Sequence, residues 1–323
     1  MTQTESFIDK VLDRTIAPGF SRIGWEVRSR SFGPMPDATG RSVVITGAST
    51  GLGRSAARML AEAGASVTMV SRSRERAEAA IAEVTKASSG GTISFEEADM
   101  ADLSSVRDLA ARLSKSHPKV DALVLNAGVL LHERSITEDG IELAWATNVA
   151  GQFLLEQLLL NSLEAAKGRV VMVTSGGAYS ERLALPEVDL VGEDYDGPAV
   201  YARTKRAQIA LAELQSRTLA SRGITVHAVH PGWADTPGVQ SSLPTFRKLT
   251  RPFLRSADEG ADSIAWLAIA DEPVGQPGLL WHDRAPRPRN RIPGQRESAQ
   301  EREDLEQELR RLCGLTSEPP PRS

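Results

Sequence analysis

The sequence has little cysteine, little histidine and little excess of one charge, and each shortage excludes a class of protein. Its single cysteine, Cys313, rules out an internal disulfide and suits a reducing compartment, so we expect a cytoplasmic protein. A formal net charge of -4 gives no support to nucleic-acid binding, which requires a strong basic excess. The five histidines are scattered without metal-ligand spacing, so no metal site is predicted.

Long apolar runs are also missing. No run approaches the ~18 residues of a membrane-spanning helix, and the N-terminus lacks the pattern of a secretory signal, so a soluble protein is expected. An apolar stripe at helical spacing does occur near the N-terminus, at Phe7, Ile8, Val11 and Leu12. We interpret it as a surface that docks on the rest of the protein, and the alternative is a peripheral contact with a membrane or a partner.

The chain does contain ample apolar residue, 41% of the total, in a repeating pattern. Short apolar runs alternate with helix-like stretches between Arg41 and Trp281, and the runs begin at Val43, Val67, Ile93, Leu123, Val170, Ile224 and Gly278. Continuous apolar strands separated by helices indicate a parallel sheet that is covered on both faces. The predicted fold is therefore a single α/β domain built on a Rossmann-like, doubly wound parallel sheet.

Two flanks fall outside this alternation. We predict an N-terminal extension over residues 1–40, a nucleotide-binding catalytic domain over 41–283 and a C-terminal extension over 284–323. The C-terminal extension starts with alternating Arg and Pro and continues as a short helix with Leu305, Leu309 and Leu312 on one face. It ends in a Pro-rich tail whose composition is typical of disorder.

A glycine motif, from Thr46 to Gly53, follows the first predicted strand and precedes a helix. Gly47 permits a tight turn, Gly51 lets the backbone approach a pyrophosphate, and Gly53 brings the helix close to the strand. The N-terminus of that helix offers free N–H groups and a partial positive charge to phosphates. The motif predicts a dinucleotide site that includes Thr46, Gly47, Ser49, Thr50, Gly51, Leu52 and Gly53.

Three motifs occur in order along the chain: TGxxxGxG, the tripeptide Asn126-Ala127-Gly128, and YxxxK from Tyr201 to Lys205. Together they resemble the short-chain dehydrogenase/reductase superfamily. The glycine spacing favours its single-domain reductase branch over the sugar-epimerase branch. The stretches from Leu131 to Arg134 and from His230 to Val239 resemble one subgroup, the dehydrogenase/reductase SDR family member 12 type.

The end of the second strand bears on the choice of cofactor. An acidic residue there would bond the adenosine ribose and select NAD, but the run from Val67 to Arg72 contains none. A guanidinium at Arg72 can hold a 2′-phosphate, so NADP(H) is favoured, with NAD(H) as the alternative if Arg72 is a solvated surface residue. Arg54 and Arg74 are further candidates. By resemblance, the cofactor site also comprises Asp99, Met100, Asn126, Ala127, Gly128, Tyr201, Lys205, Pro231, Gly232 and Thr236.

A tyrosine and a lysine stand four residues apart at the start of a long predicted helix. Reduction of a carbonyl by hydride leaves an alkoxide that needs a proton donor, and a lysine at i+4 can lower the pKa of the tyrosine that supplies it. We therefore expect Tyr201 and Lys205 to act as the catalytic pair. Resemblance adds Ser175, which would hold the substrate oxygen, and Asn148, which would organise a water-mediated proton path to Lys205. The alternative is that the position is displaced by one residue, so that Thr174 takes the role given to Ser175.

Two further segments are expected to shape the substrate site. By resemblance, the loop with Pro231, Gly232 and Thr236 closes on the nicotinamide, and residues 238–257 form a mobile lid. Its apolar residues indicate a lipophilic substrate or, equally, a lid that packs shut on itself: Leu243, Phe246, Leu249, Phe253 and Leu254. An insert of 25 residues before Tyr201 is expected to form one wall of the entrance, with acidic residues Glu187, Asp189, Glu193, Asp194 and Asp196.

These features predict an oxidoreductase that transfers a hydride between NADP(H) and a carbonyl or alcohol, with a small lipophilic molecule as its partner. The alternative is a cofactor-binding regulatory protein of the same fold with little turnover, against which the intact Tyr-Lys pair argues. A sugar epimerase or dehydratase is disfavoured by the glycine spacing. Relatives often dimerise through the helices that contain Asn148 and Tyr201, so the resemblance leaves both a monomer and a homo-oligomer as alternatives.

Overall fold

The computed structural model describes residues 9, 12, 13, 15–186, 195–242 and 244–316. Its strands β1 to β8 span Ser42–Thr46, Ser66–Ser71, Ile93–Glu97, Ala122–Leu125, Arg169–Val173, Thr225–Val229, Leu280–His282 and Ala285–Arg287. They form one sheet in the order β3-β2-β1-β4-β5-β6-β7-β8. Strands β1 to β7 run parallel, and β8 pairs with β7 in the antiparallel direction.

Helices cover both faces of the sheet. Helices α1 to α7 span Ile16–Phe20, Arg22–Arg28, Gly51–Glu62, Arg74–Ala87, Leu103–Ser116, Leu143–Trp145 and Gly151–Leu158. Helices α8 to α13 span Leu160–Ala166, Gly197–Thr218, Pro237–Ser242, Pro244–Thr250, Ala257–Ile269 and Ala299–Leu312. A π-helical turn, Ala146–Ala150, joins α6 to α7. Short 3-10 turns lie at Ser29–Ser31, Gly176–Tyr179, Ala220–Arg222 and Arg251–Phe253.

The central strands are mainly apolar because both of their faces are covered. Every residue of β4, β5 and β6 is buried. One apolar cluster includes Leu123 and Leu154, and a second cluster includes Ile45, Leu60 and Ile264. The Rossmann-like, doubly wound fold predicted from the alternating pattern is confirmed.

The end of the sheet differs from the sequence prediction. The Arg/Pro alternation after residue 284 was assigned to an extension, whereas Ala285–Arg287 forms β8. Pro286 stands opposite Trp281 in the register. Because β8 is an edge strand, a proline that donates no hydrogen bond is tolerated there. Periodicity alone missed the strand because it is only three residues long.

Both flanks contact the central fold. Leu12 and Phe20 are buried, as the docking interpretation of the N-terminal stripe requires, while Phe7, Ile8 and Val11 lie outside the described residues. The predicted C-terminal helix is confirmed as α13, which lies against α9 and buries Leu305 and Leu309 completely. Within the ranges described above, no helix combines the length and the apolar character needed to cross a membrane.

A buried ion cluster joins the N-terminal flank to the end of the sheet. Asp283, 3% exposed, accepts hydrogen bonds from Arg255 Nη1 at 2.6 Å and from Arg28 Nη1 at 2.9 Å. Arg255, 1% exposed, also donates to the carbonyl oxygens of Ser21 and Gly19. Burial alone would raise the pKa of Asp283, but the neighbouring His282, Arg255 and Arg28 hold it well below its usual value. The carboxylate is therefore ionised and bound from two sides.

We expect Asp283→Asn to lower the free energy of unfolding by ~3–5 kcal/mol, because it leaves the buried Arg255 guanidinium without its carboxylate and takes one of two carboxylates, Asp283 but not Asp9, from Arg28. The matched control is Asp271→Asn, since Asp271 pairs with Arg41 but its side chain is 89% exposed. That variant should change stability by less than ~1 kcal/mol. Urea unfolding followed by circular dichroism measures both, and equal small losses would show that the buried cluster does not stabilise the fold.

Candidate active site

The carboxyl ends of the parallel strands open into an elongated cavity of about 800 Å³. It lies beside β1 and β4, where the strand order reverses, which is the usual ligand site of open α/β sheets. The predicted site residues that line it are Gly47, Ser49, Thr50, Gly51, Leu52, Arg72, Asp99, Met100, Asn126, Ala127, Gly128, Ser175, Tyr201, Lys205, Pro231, Gly232 and Thr236. The other three, Thr46, Gly53 and Asn148, lie behind its surface.

The glycine motif forms a tight turn at one side of this cavity. Gly47 and Gly51 have φ angles of 65° and 54°, in the left-handed region that favours glycine. A Cβ atom on Gly53 would overlap the carbonyl oxygen of Gly47, so only glycine lets α3 begin this close to β1. The Thr50 side chain does not cap α3. The N–H groups of the first turn therefore remain available to a phosphate group, and the turn fits a dinucleotide.

A buried hydroxyl fixes this turn against the neighbouring strand. Thr46 Oγ1 accepts hydrogen bonds from the backbone N–H groups of Asn126 (2.9 Å) and Ala127 (3.0 Å). It lies 3.1 Å from Gln152 Oε1, to which it donates. The Asn126 amide in turn donates to the carbonyl oxygens of Thr46 and Gly47. Asn126 thus both lines the cavity and holds the glycine turn in place.

Basic side chains mark the end of the cavity near β2. Arg72 is exposed and lines the cavity, and among the described residues it forms no hydrogen bond or ion pair. Arg76 lines the same end and was missed by the sequence analysis, although it stands only four residues beyond Arg72, in the first turn of α4. The two other candidates do not line the cavity: Arg54 pairs with Glu83, and Arg74 lies over the Phe95 ring.

The opposite end brings Ser175, Tyr201 and Lys205 together. The side chains of Ser175 and Tyr201 form a hydrogen bond, and Lys205 Nζ lies 5.6 Å from the centroid of the Tyr201 ring. Lys205 Nζ also donates to the Val173 carbonyl oxygen at 2.9 Å. Thr174 Oγ1 instead donates to the Lys205 carbonyl oxygen at 2.6 Å. Of the two residues left open by sequence, Ser175 is therefore the one that contacts Tyr201.

Burial changes the ionisation of this group. The Lys205 side chain is 3% exposed, and burial lowers its pKa to about 7. Burial raises the pKa of Tyr201, while the hydrogen bond with Ser175 acts in the opposite direction. The four-residue spacing predicts a charged lysine that lowers the pKa of Tyr201. With a pKa of about 7, Lys205 is only partly charged at neutral pH, because burial disfavours its ammonium form.

Asn148 lies within the π-helical turn and is fully buried. Its side-chain amide spans two segments, because Oδ1 accepts from the Val129 N–H (2.7 Å) and Nδ2 donates to Thr204 Oγ1 (2.9 Å). Its carbonyl oxygen accepts from Gln208 Nε2 at 3.0 Å. The same Gln208 side chain accepts from Lys205 Nζ at 3.1 Å through Oε1. Gln208 therefore joins Asn148 to Lys205, and the motif analysis gave no signal for it.

The part of the cavity beyond Tyr201 is mainly apolar. Its lining includes two hydroxyl side chains, Ser180 and Ser242, and the apolar residues Val129, Leu130, Leu131, Pro198 and Trp233. In the described lining, the ionisable side chains other than Tyr201 are Arg72, Arg76, Asp99 and Lys205. Among the described residues that line this end, Lys205 is therefore the charged group that faces a substrate.

The apolar lid residues that the structure describes do not line this space, as the first of the two alternatives left open by the sequence would require. Leu249 and Phe253 are 75% and 50% exposed and do not line the cavity, whereas Leu254 is buried. Leu243 and the Phe246 side chain lie outside the described part of the chain, as do residues 187–194 with four of the five acidic residues of the insert. The fifth, Asp196, caps α9 by accepting from the Ala199 N–H.

In the described ranges, no group of three or more His, Cys, Asp or Glu side chains could hold a metal ion.

Comparison with known proteins agrees with this geometry. A family model described as short chain dehydrogenase matches residues 41–245. Bovine dehydrogenase/reductase SDR family member 12 is 35% identical, over 83% of this chain and 86% of its own length. Human retinol dehydrogenase 13 is 31% identical, over 72% of this chain and 73% of its own length. The crystal structure of an uncharacterised protein from Mycobacterium paratuberculosis superposes with a TM-score of 0.66 and 27% identity, and the match covers 87% of this chain and 96% of that one. The chain therefore belongs to the short-chain dehydrogenase/reductase superfamily.

Proposed function

We propose that this oxidoreductase transfers a hydride between NADP(H) and a neutral, lipophilic carbonyl or alcohol. The observation that carries the proposal is that Ser175, Tyr201 and Lys205 meet at one end of a cavity, and that the glycine turn, Arg72 and Arg76 line the rest of it. A dinucleotide that fills such a cavity brings its reactive ring to the tyrosine and its phosphates to the turn.

The residues have distinct roles in this proposal. NADPH, when bound, supplies the hydride that adds to the carbonyl carbon. The Tyr201 hydroxyl gives its proton to the carbonyl oxygen, which becomes the alcohol, and leaves a tyrosinate that later regains a proton from water. Ser175 holds the same oxygen next to Tyr201, and a charged Lys205 stabilises the tyrosinate. In the oxidative direction, each proton transfer runs backward.

The preference for NADP(H) rests on charge at the end of the cavity near β2. Arg72 is free to bind, and Arg76 lines the same end. A 2′-phosphate is a dianionic group that guanidinium side chains bind through paired hydrogen bonds. Asp99 also lines the cavity, but it follows β3 rather than β2, where an acidic residue would select NAD(H).

The proposed substrate follows from the lining beyond Tyr201. Apolar side chains such as Leu130, Leu131 and Trp233 bury apolar surface, and apart from Lys205 the described lining of this end contains no arginine or lysine to bind a carboxylate or phosphate. The name of the relative retinol dehydrogenase 13 also points to a lipophilic alcohol. A cytoplasmic location is part of the same proposal, and it rests on the single, buried Cys313.

Replacing the proposed proton donor separates an enzyme from a regulatory cofactor-binding protein. We expect Tyr201→Phe to lower kcat for reduction of a lipophilic aldehyde by ~10²–10⁴-fold, because it removes the phenolic proton and little else. NADPH affinity, measured by energy transfer from tryptophan, should stay within ~3-fold of the parent. The control is Tyr179→Phe, since Tyr179 donates to the Pro288 carbonyl oxygen outside the cavity. Unchanged turnover in Tyr201→Phe would exclude Tyr201 as the donor.

The cofactor preference is tested at the other end of the cavity. We expect Arg72→Ala to weaken NADPH binding by ~10–100-fold, the loss of a charge-assisted contact with the 2′-phosphate, and to leave NADH binding unchanged. Arg74→Ala is the matched control, because Arg74 carries the same charge two residues away but lies over Phe95. Titration of each variant with both nucleotides gives the result. Equal weakening of NADPH and NADH, or none, would contradict the assignment.

A further inference from the structure

The buried side of Lys205 is held by an amide side chain that no motif in the sequence singles out. Gln208 lies one helical turn beyond Lys205 on α9 and is 2% exposed. Its Oε1 accepts from Lys205 Nζ at 3.1 Å, and its Nε2 donates to the Asn148 carbonyl oxygen at 3.0 Å. Gln208 is thus a direct link between the ammonium group and the π-helical turn.

The orientation of this amide follows from its two partners. A lysine ammonium only donates hydrogen bonds and a backbone carbonyl only accepts them, so Oε1 must face Lys205 and Nε2 must face Asn148. Its closest isosteres do not satisfy both partners, because an ionised carboxylate has no donor and an alkyl chain has neither group. The position therefore discriminates between glutamine and its closest isosteres.

The link continues on both sides into fixed parts of the fold. Lys205 Nζ also donates to the Val173 carbonyl oxygen on β5, so two of its three protons are directed at the protein. The Asn148 carbonyl oxygen also accepts from Gln152 Nε2, and Gln152 Oε1 accepts from Thr46 Oγ1 in the glycine turn. A chain of hydrogen bonds therefore connects the dinucleotide turn to Lys205.

We propose that Gln208 is a positioning residue that fixes the Lys205 ammonium group, leaves one of its protons directed at the cavity, and couples it to the dinucleotide turn. The proposal rests on the proposed function for its catalytic consequence, but the geometry exists in the protein without substrate. An amide accepts and donates hydrogen bonds without taking up or releasing a proton near neutral pH. Gln208 therefore holds Lys205 in place and does not itself pass protons from Asn148.

The charge state of Lys205 reports on this contact. Burial lowers its pKa to about 7, and no carboxylate of the described residues contributes to the shift. The titratable side chain that faces it is Tyr201, on the same helix, while β5 and the π-helical turn present Val173 and Asn148. A hydrogen bond accepted by Gln208 favours the charged form of the lysine. Removing that acceptor should therefore lower its pKa further.

The test compares three variants of the full-length protein. Gln208→Leu removes both hydrogen bonds, and Gln208→Glu keeps the acceptor for Lys205 but, when ionised, places an oxygen against the Asn148 carbonyl. Gln215→Leu is the matched control, because Gln215 is a fully buried glutamine two turns further along the same face of α9 and contacts Glu156 rather than Lys205. Proteins carrying lysine labelled with ¹³C at Cε are titrated by NMR, and the Lys205 signal is identified by its absence in Lys205→Met.

We expect the Lys205 titration to move down by about one pH unit in Gln208→Leu, to move up in Gln208→Glu, and to stay unchanged in Gln215→Leu. NADPH should bind Gln208→Leu at least ~5-fold more weakly than it binds Gln215→Leu, because Lys205 is no longer held in place. Thermal denaturation of both leucine variants shows whether the two substitutions destabilise the protein to the same extent. An unchanged Lys205 titration in a folded Gln208→Leu protein would overturn the proposal.

Failure of the proposed function gives a different result. If the parent protein reduces none of the carbonyls tested, the catalytic proposal fails, whereas the NMR titration still decides the role of Gln208. If the parent is active, kcat of Gln208→Leu should fall ~10-fold or more with its pH dependence displaced in the same direction as the Lys205 titration. A fall in kcat without that displacement would make Gln208 a purely structural residue and would also contradict the proposal.

Discussion

The hydrogen bonds of one buried threonine hold the site together. Thr46 is the last residue of β1, and its hydroxyl accepts hydrogen bonds from two backbone N–H groups in the segment after β4. The same hydroxyl donates a hydrogen bond to Gln152 on α7. A buried hydroxyl without partners would cost several kcal/mol, so these bonds fix how the two central strands end relative to each other. The glycine turn, Asn126 and the path to Lys205 all start from this point, because each is bonded to Thr46 or to one of its partners.

The fold was predictable because its central strands are buried on both faces and its helices carry apolar stripes. Short apolar runs such as Leu123-Val124-Leu125 indicate strands rather than helices when turn residues lie on either side of them. The motif residues from Gly47 to Lys205 were also found by spacing, and the structure brings nearly all of them to one cavity. Their catalytic and cofactor roles stay predictions, as does the division of the chain at residues 40 and 284.

What the sequence could not show depends on contacts between distant segments. Gln208 carries no pattern of its own, because its partners are a side chain one turn away and a carbonyl oxygen 60 residues earlier. The sequence analysis named Arg54 and Arg74, but not Arg76, as further candidates for binding the 2′-phosphate. The sequence of a helix shows where its charged residues are but not which of them face the cavity. The exposed Leu249 and Phe253 were assigned to a lid surface for the same reason.

The ion cluster around Asp283 has a consequence for how the chain is made. Arg28 and Asp283 are 255 residues apart in sequence. Synthesis starts at the N-terminus, so Arg28 leaves the ribosome long before Asp283 exists. Until then its guanidinium can pair with Asp9 but not with Asp283, and the N-terminal helices lack the buried carboxylate that ties them to the end of the sheet. The segment translated among the first is therefore among the last to dock, after the whole parallel sheet has been synthesised.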